Sequence, residues 1–78
     1  MIKYQELSAD EQVVYSVLES LMSSGTKVGL NTLKYNLKKG GVGFLGRLKG
    51  LKGLERKGIL KKEKEWGMIY YKIENTLE

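Results

Sequence analysis

Residues 43–58, GFLGRLKGLKGLERKG, are the stretch of sequence that decides the fold. Phe44, Leu48, Leu51 and Leu54 recur at helical spacing, which predicts a helix with one apolar face on the protein core. Glycines lie roughly opposite that face on a helical wheel, at Gly43, Gly46, Gly50 and Gly53. An interior glycine costs a helix about 1 kcal/mol relative to alanine, so an outward strip of glycines needs a physical reason.

Two explanations fit this glycine strip. Small residues at such spacing let two helices approach closely, so the strip could be a helix-packing or dimer surface. Alternatively, the helix backbone approaches a large anionic partner, and cationic side chains flank the contact. Those cations are Lys49, Lys52, Arg56 and Lys57. We favour the anionic partner, because taking the lysines out of water in a protein interface is costly.

Charge is distributed very unevenly along the 78 residues, which carry a formal net charge of +5. Residues 1–26 hold one lysine against four carboxylates, whereas residues 27–62 hold eleven lysines or arginines against a single glutamate. A block this basic is typical of proteins that bind polyanions. The alternative is that the lysines only keep a small protein in solution.

Several function classes lose support from residue types that the sequence lacks. There is no cysteine and no histidine, which removes thiolate chemistry and the commonest general base and metal ligand. Asp10 is the only aspartate, and its position indicates a helix cap rather than catalysis. We expect no enzyme, no cofactor, no metal site and no small-molecule ligand. Without a signal segment or an apolar run of about 20 residues, we also expect no membrane partner and a cytoplasmic location.

The first helix is predicted over residues 8–24. Ser8-Ala-Asp-Glu11 has the spacing of a capping box, and Ser23-Ser24-Gly25 ends the pattern. Tyr15 and Met22 widen the apolar surface beyond what one small core needs. Two interpretations stay open for them: a wide buried face, or a homodimer contact through this helix.

The rest of the chain predicts two more helices and a hairpin. A short helix over 31–39 has Asn31 as its N-cap and ends at Gly40-Gly41, and the glycine-rich helix covers 43–58. Lys27-Val28-Gly29 fits either a short strand or a bridge. After Gly58 the period becomes strand-like, which predicts a β-hairpin over 59–73 around the turn 65–67. The expected fold class is a single α+β domain spanning 1–78.

A helix, a short helix-turn-helix and a hairpin, in that order, resemble the winged helix-turn-helix family. The run LERKGIL, residues 54–60, looks like the junction between that family's recognition helix and its wing. Over about residues 8–73 the chain is similar to small transcription regulators coded by archaea and by their viruses and plasmids. The resemblance implies three helices followed by a two-stranded wing. It also implies that helix 43–58 enters the major groove of double-stranded DNA, with helix 31–39 bracing it and the wing on the flanking backbone.

The sequence departs from the family pattern on the recognition helix. Arg47 stands where the family usually has an apolar residue, so that Leu48 takes over the packing role, and the outward positions are largely glycine. Arg47 and Arg56 are the side chains best suited to reading bases, so we expect phosphate contacts to dominate. The candidate DNA-binding residues are Asn31, Thr32, Lys39, Gly43, Gly46, Arg47, Lys49, Gly50, Lys52, Gly53, Arg56, Lys57, Lys62, Lys64 and Trp66.

Trp66, at the predicted hairpin tip, has two interpretations. It could contact DNA from an exposed position, or it could fold back over Tyr70 or the first helix as a lid on the core. We slightly favour the lid, because a small core needs large aromatic side chains. Tyr70 and Tyr71 point to opposite faces of the strand, so we expect one of them in the core.

The leading functional expectation is a double-stranded DNA-binding transcription regulator that acts as a homodimer. One alternative is an architectural DNA binder with little sequence preference. Another is a winged-helix module for protein interaction, which the basic block disfavours. Double-stranded RNA is a poorer fit, because its major groove is too deep and narrow for a helix.

Overall fold

The order of elements follows the α+β pattern that the sequence predicts. A computed structural model describes residues 3–22 and 27–75. Within these ranges it contains three α-helices and a three-stranded antiparallel sheet. The elements are a 3-10 helix Tyr4–Glu6, α1 Ala9–Leu21, β1 Val28–Gly29, α2 Leu30–Lys39, α3 Phe44–Arg56, β2 Leu60–Glu65 and β3 Met68–Ile73.

The start of α1 is fixed by the predicted capping box. The Ser8 hydroxyl accepts from the Glu11 amide at 3.2 Å, and the Ser8 amide donates to the Glu11 carboxylate at 2.8 Å. This reciprocal pair satisfies two backbone N–H groups that helix geometry leaves without partners. The helix ends at Leu21, and the predicted stop at Ser23-Ser24-Gly25 lies outside the described residues.

The start of α2 differs from the prediction, because Gly29 rather than Asn31 is its N-cap. Gly29 pairs with Tyr70 as the last residue of β1, and its extended backbone leads directly into Leu30. Pairing with the sheet therefore places the helix start two residues earlier than capping by the Asn31 side chain would. The helix ends as predicted at Gly40-Gly41, where Gly41 has a φ of 87° that a side chain would strain.

The sheet has the strand order β1-β3-β2, with both pairs antiparallel. The hairpin register runs from Leu60 opposite Ile73 to Glu65 opposite Met68. The predicted wing had two strands, and β1 adds a third because Val28 pairs with Tyr71. The two-residue turn between β2 and β3 is Trp66–Gly67, with positive φ values of 53° and 78°, as in a type I′ turn.

A single apolar core joins the three helices to one face of the sheet. Tyr71 is buried and Tyr70 is only partly buried, which confirms that the two tyrosines face opposite ways. Tyr15 and Met22 are 4% and 7% exposed, so the homodimer interpretation of these two side chains is wrong and the wide buried face is right. The fully buried side chains of largest volume are Leu18, Leu33, Leu37, Leu54, Ile59 and Val14.

Three glycines of the strip, Gly46, Gly50 and Gly53, face α1 and not the exterior, whereas Gly43, the N-cap of α3, is exposed. A Cβ atom built on Gly50 would lie 2.6 Å from Val14 Cγ2 and 2.7 Å from the Asp10 carbonyl oxygen, closer than atoms approach. One on Gly53 would overlap the Glu11 carboxylate, and one on Gly46 would lie 3.2 Å from Asp10 Oδ1. The predicted outward position of these glycines is therefore wrong. The helix-packing explanation holds within one chain.

Burial of the glycine side changes which residues of α3 remain exposed. Leu51 and Leu54 lie in the core as expected, and Leu48 is partly buried. Phe44, predicted on the core face, is 64% exposed, and Leu45 is 68% exposed. The Phe44 ring lies in the first turn of α3, where it contacts the Arg47 guanidinium instead of the core.

We predict opposite effects for alanine at two glycines of this helix. Gly50→Ala forces α1 and α3 apart, because the new methyl meets backbone, and should lower the free energy of unfolding by about 1–3 kcal/mol. Gly46→Ala meets only the end of the Asp10 side chain and the Val42 methyl, so improved helix propensity should leave stability equal or up to about 1 kcal/mol higher. Urea denaturation of both variants measures the difference. A Gly50→Ala protein more stable than the wild type would contradict the close contact.

Candidate nucleic-acid interface

One exposed stripe runs along α3 between the two buried sides. It consists of Leu45, Lys49, Lys52 and Arg56, and all four residues are exposed. Successive spacings of four, three and four residues place them on a single helix face. We call this face the cationic stripe, because three of its four side chains are positively charged and none is acidic.

Arg47 lies apart from the cationic stripe, although the sequence suggested it for base reading. Its guanidinium carbon lies 5.0 Å from the centre of the Phe44 ring, an arrangement in which cation and ring attract each other. Its Nε atom is buried and has no hydrogen-bond partner. Arg47 is therefore partly committed to the protein surface between α2 and α3.

A groove of about 530 Å³ separates α2 from the first turn of α3. Lys34 and Lys38 line it one helical turn apart, together with Tyr35, which is 68% exposed. None of these three residues was among the candidates predicted from the sequence. Their signal was the alternation with buried Leu33 and Leu37, which places a lysine beside each core leucine. The remaining lining residues are Val42, Gly43, Phe44 and Arg47.

The candidate residues Asn31, Thr32 and Lys39 are exposed along α2. Asn31 lies inside the first turn of the helix, where it lines a hollow of about 180 Å³. Gly67, Met68 and Ile69 of the hairpin complete that hollow with Leu30. The start of α2 and the hairpin turn therefore form one continuous surface.

Lys57 forms an ion pair with a carboxylate of α1 and does not belong to the cationic stripe. Its ammonium nitrogen lies 2.5 Å from Glu11 Oε1, and the Glu11 side chain is only 8% exposed. Burial alone would raise the pKa of Glu11, but the hydrogen bonds from Lys57 and from the Ser8 amide outweigh it and lower that pKa below the ordinary 4.5. This ion pair ties the end of α3 to the start of α1.

The two faces of the hairpin differ in charge. Lys62 lies opposite Tyr71 and Lys64 opposite Ile69, so both lysines share the face that carries the buried Tyr71, and both are exposed. The opposite face of β2 carries Lys61, Glu63 and Glu65. Of the two hairpin faces, the one with Lys62 and Lys64 therefore carries positive charge without carboxylates.

Lys27 is a further cation that an acidic neighbour neutralises. Its ammonium forms an ion pair with Glu65 and lies 5.3 Å from the centre of the Tyr70 ring. The hydrogen bond that Lys27 donates to the Glu65 carboxylate raises the pKa of Lys27 above its ordinary value. The outer face of the sheet is therefore of mixed charge.

Trp66 projects from the hairpin turn and is 99% exposed. The lid interpretation is therefore wrong: the indole does not cover the core. The type I′ turn explains this position, because the two turn residues lie past the last cross-strand pair, Glu65 and Met68. The exposed interpretation of Trp66 is the one that remains.

No family model matches the chain, and no curated protein or solved structure is significantly similar to it. In the part of the chain that the structure describes, every helix is too short or too polar to cross a membrane. Across residues 3–22 and 27–75, no three histidine, cysteine, aspartate or glutamate side chains come together as metal ligands would. The exposed site is built from cations, an indole and a few apolar side chains.

We expect the Glu11–Lys57 pair to control stability in acid. Because the pKa of Glu11 is lower in the folded protein than in the unfolded chain, ionised Glu11 stabilises the fold at pH values above its unfolded pKa near 4.5. This stabilisation is lost as the pH falls through the folded-state pKa. Glu11→Gln should be less stable by about 1–2 kcal/mol at neutral pH, and its stability should fall less in acid. Urea denaturation at neutral pH and at a series of lower pH values measures both effects.

Glu19→Gln is the matched control, because Glu19 is exposed on the same helix. The free energy of unfolding of Glu19→Gln should depend on pH nearly as it does in the wild type. A Glu11→Gln variant that matches the wild type in both stability and pH profile would rule out the role of the pair.

Proposed function

We propose that this protein binds double-stranded DNA as a winged helix-turn-helix transcription regulator. In this proposal the cationic stripe of α3 lies in the major groove. The observation that carries it is that the only broadly exposed face of α3 has three cations and no carboxylate. A surface of this kind attracts a polyanion and has no acidic group to repel it.

The dimensions of the stripe suit a major groove. Leu45 and Arg56 stand at its two ends, and at 1.5 Å per residue the stripe spans about 16 Å along the helix. A B-DNA major groove about 12 Å wide admits one α-helix. Lys49, Lys52 and Arg56 can then reach phosphates along the groove edges.

The hairpin supplies a second contact in the proposed complex. Lys62 and Lys64 form its carboxylate-free face, and Trp66 extends from its tip into solvent. These side chains suit the flanking phosphate backbone or the minor groove beside it. Asn31 and Thr32, exposed at the start of α2, offer further polar groups to a phosphate.

An architectural DNA binder of low specificity is the second candidate. The observation that favours it is the composition of the cationic stripe, which has no asparagine or glutamine and only Arg56 for bidentate contact with a base. Phosphate contacts through lysine position a protein without reading sequence. The two candidates differ in the ratio of specific to nonspecific affinity.

We predict that alanine at the stripe lysines weakens DNA binding through phosphate contacts. Lys49→Ala and Lys52→Ala should each reduce the slope of log affinity against log salt by about 0.9. Fluorescence anisotropy with a labelled duplex at several salt concentrations gives the slope.

Lys72→Ala is the control, since Lys72 lies opposite Lys61 on the mixed-charge face of the sheet. It removes one positive charge but should leave the slope nearly unchanged. An equal loss from all three variants would show that net charge, and not the stripe, determines binding. Failure of the wild type to bind any duplex at low salt would favour a protein-interaction module.

Trp66 provides an intrinsic probe of the hairpin contact, because it is the only tryptophan. We expect duplex addition to change its emission, since the indole is fully in water before binding. Titration of unlabelled DNA at constant protein concentration measures the change. An unchanged emission spectrum at saturating DNA would exclude Trp66 from the interface.

A further inference from the structure

Two large apolar side chains at consecutive positions in the first turn of α3 are exposed. Phe44 is 64% exposed and Leu45 is 68% exposed. Full burial of either would stabilise the fold, yet the core is completed by Leu51 and Leu54 further along the helix. Phosphate binding does not account for these apolar side chains, because they contribute neither charge nor hydrogen bonds.

The neighbouring arginine, Arg47, is engaged in a contact within the protein. Arg47 turns toward Phe44, with its guanidinium carbon 5.0 Å from the ring centre and its Nε buried. This contact also holds the Phe44 ring from one side. The other arginine of the helix, Arg56, is at the opposite end of the cationic stripe. The two most exposed side chains of the amino-terminal turn of α3 are therefore apolar.

Only one apolar group is available to such a surface in the DNA major groove. It is the methyl on C5 of thymine, which 5-methylcytosine carries at the same ring position. In helix-turn-helix docking, the residues that reach base edges are those at the amino-terminal end of the second helix. Leu45 belongs to the cationic stripe, so a helix that places Lys49 on a phosphate edge also turns Leu45 toward the groove.

We propose that Phe44 and Leu45 form a methyl-reading element, which gives this protein a preference for duplexes with thymine or 5-methylcytosine under the first turn of α3. The preference rests on the proposed DNA binding and deepens it. Specificity then comes from apolar contact with a base methyl group, while the lysines supply affinity that is independent of sequence. Discrimination by contact with a single methyl group is about three- to tenfold in affinity.

Uracil tests the proposal directly, because it differs from thymine only by this methyl. The affinity of the wild type is measured by anisotropy for a short alternating d(AT) duplex and for the same duplex made with uracil. We expect binding to the uracil duplex to be weaker by about three- to tenfold. A second pair, alternating d(GC) with and without 5-methylcytosine, distinguishes a general methyl preference from one restricted to thymine.

The variants separate methyl reading from affinity. Phe44→Ala and Leu45→Ala should each bring the thymine-to-uracil affinity ratio close to one, and both sites are exposed, so circular dichroism should show an intact fold. Lys49→Ala, also exposed, should weaken binding to both duplexes equally and preserve the ratio. A gain of affinity on cytosine methylation that is lost in Leu45→Ala would support the reading of 5-methylcytosine, and the absence of any gain would overturn that part of the proposal.

Failure of methyl reading can be distinguished from failure of DNA binding. Equal wild-type affinity for thymine and uracil duplexes, or a ratio that survives both alanine substitutions, would overturn methyl reading and leave DNA binding in place. Absence of binding to every duplex at low salt would overturn the proposed function, and methyl reading with it.

Discussion

The backbone of α3 meets α1 at Gly50, and the rest of the structure depends on this contact. A single methyl at that position would lie within 2.7 Å of an α1 backbone carbonyl, so only glycine allows the two helices to pack at this distance. With α1 on its glycine side and the core on its leucine side, α3 retains one narrow exposed face. That face carries Lys49, Lys52 and Arg56. Close packing on one side of the helix thus determines which side chains are available to a partner.

The same contact explains how the unequal charge of the two chain segments is accommodated. Glu11 belongs to the acidic amino-terminal segment, yet its carboxylate is buried between the Ser8 amide and the Lys57 ammonium. Glycine at position 53 leaves room for it. One carboxylate therefore caps α1 and neutralises the last cation of the basic helix. The remaining cations of α3 stay free of acidic partners in the described structure.

Local chemistry predicted most of the fold, because caps, helical periods and turn residues act over a few positions. The Ser8 capping box, the glycine stops and the hairpin are examples. The errors concern what covers a surface: the direction of Gly46, Gly50 and Gly53, the exposure of Phe44 and Trp66, and the third strand of the sheet. Helical spacing states which residues share a face and leaves the neighbour of that face open. Within the candidate site, the exposed lysines could be predicted from the charge of the sequence. The positions of Arg47 and Lys57 could not, because they depend on tertiary contacts.

The backbone of Trp66 has a consequence for how this hairpin has been selected. A φ of 53° is unusual for a bulky residue and costs about 1 kcal/mol, which asparagine or glycine at that position largely avoids. The indole makes up for none of this cost within the chain, because it is 99% exposed. Folding alone would therefore favour replacement of this tryptophan. Tryptophan at this position therefore lowers the stability of the turn. Proteins retain such local losses of stability where a side chain has a function other than folding.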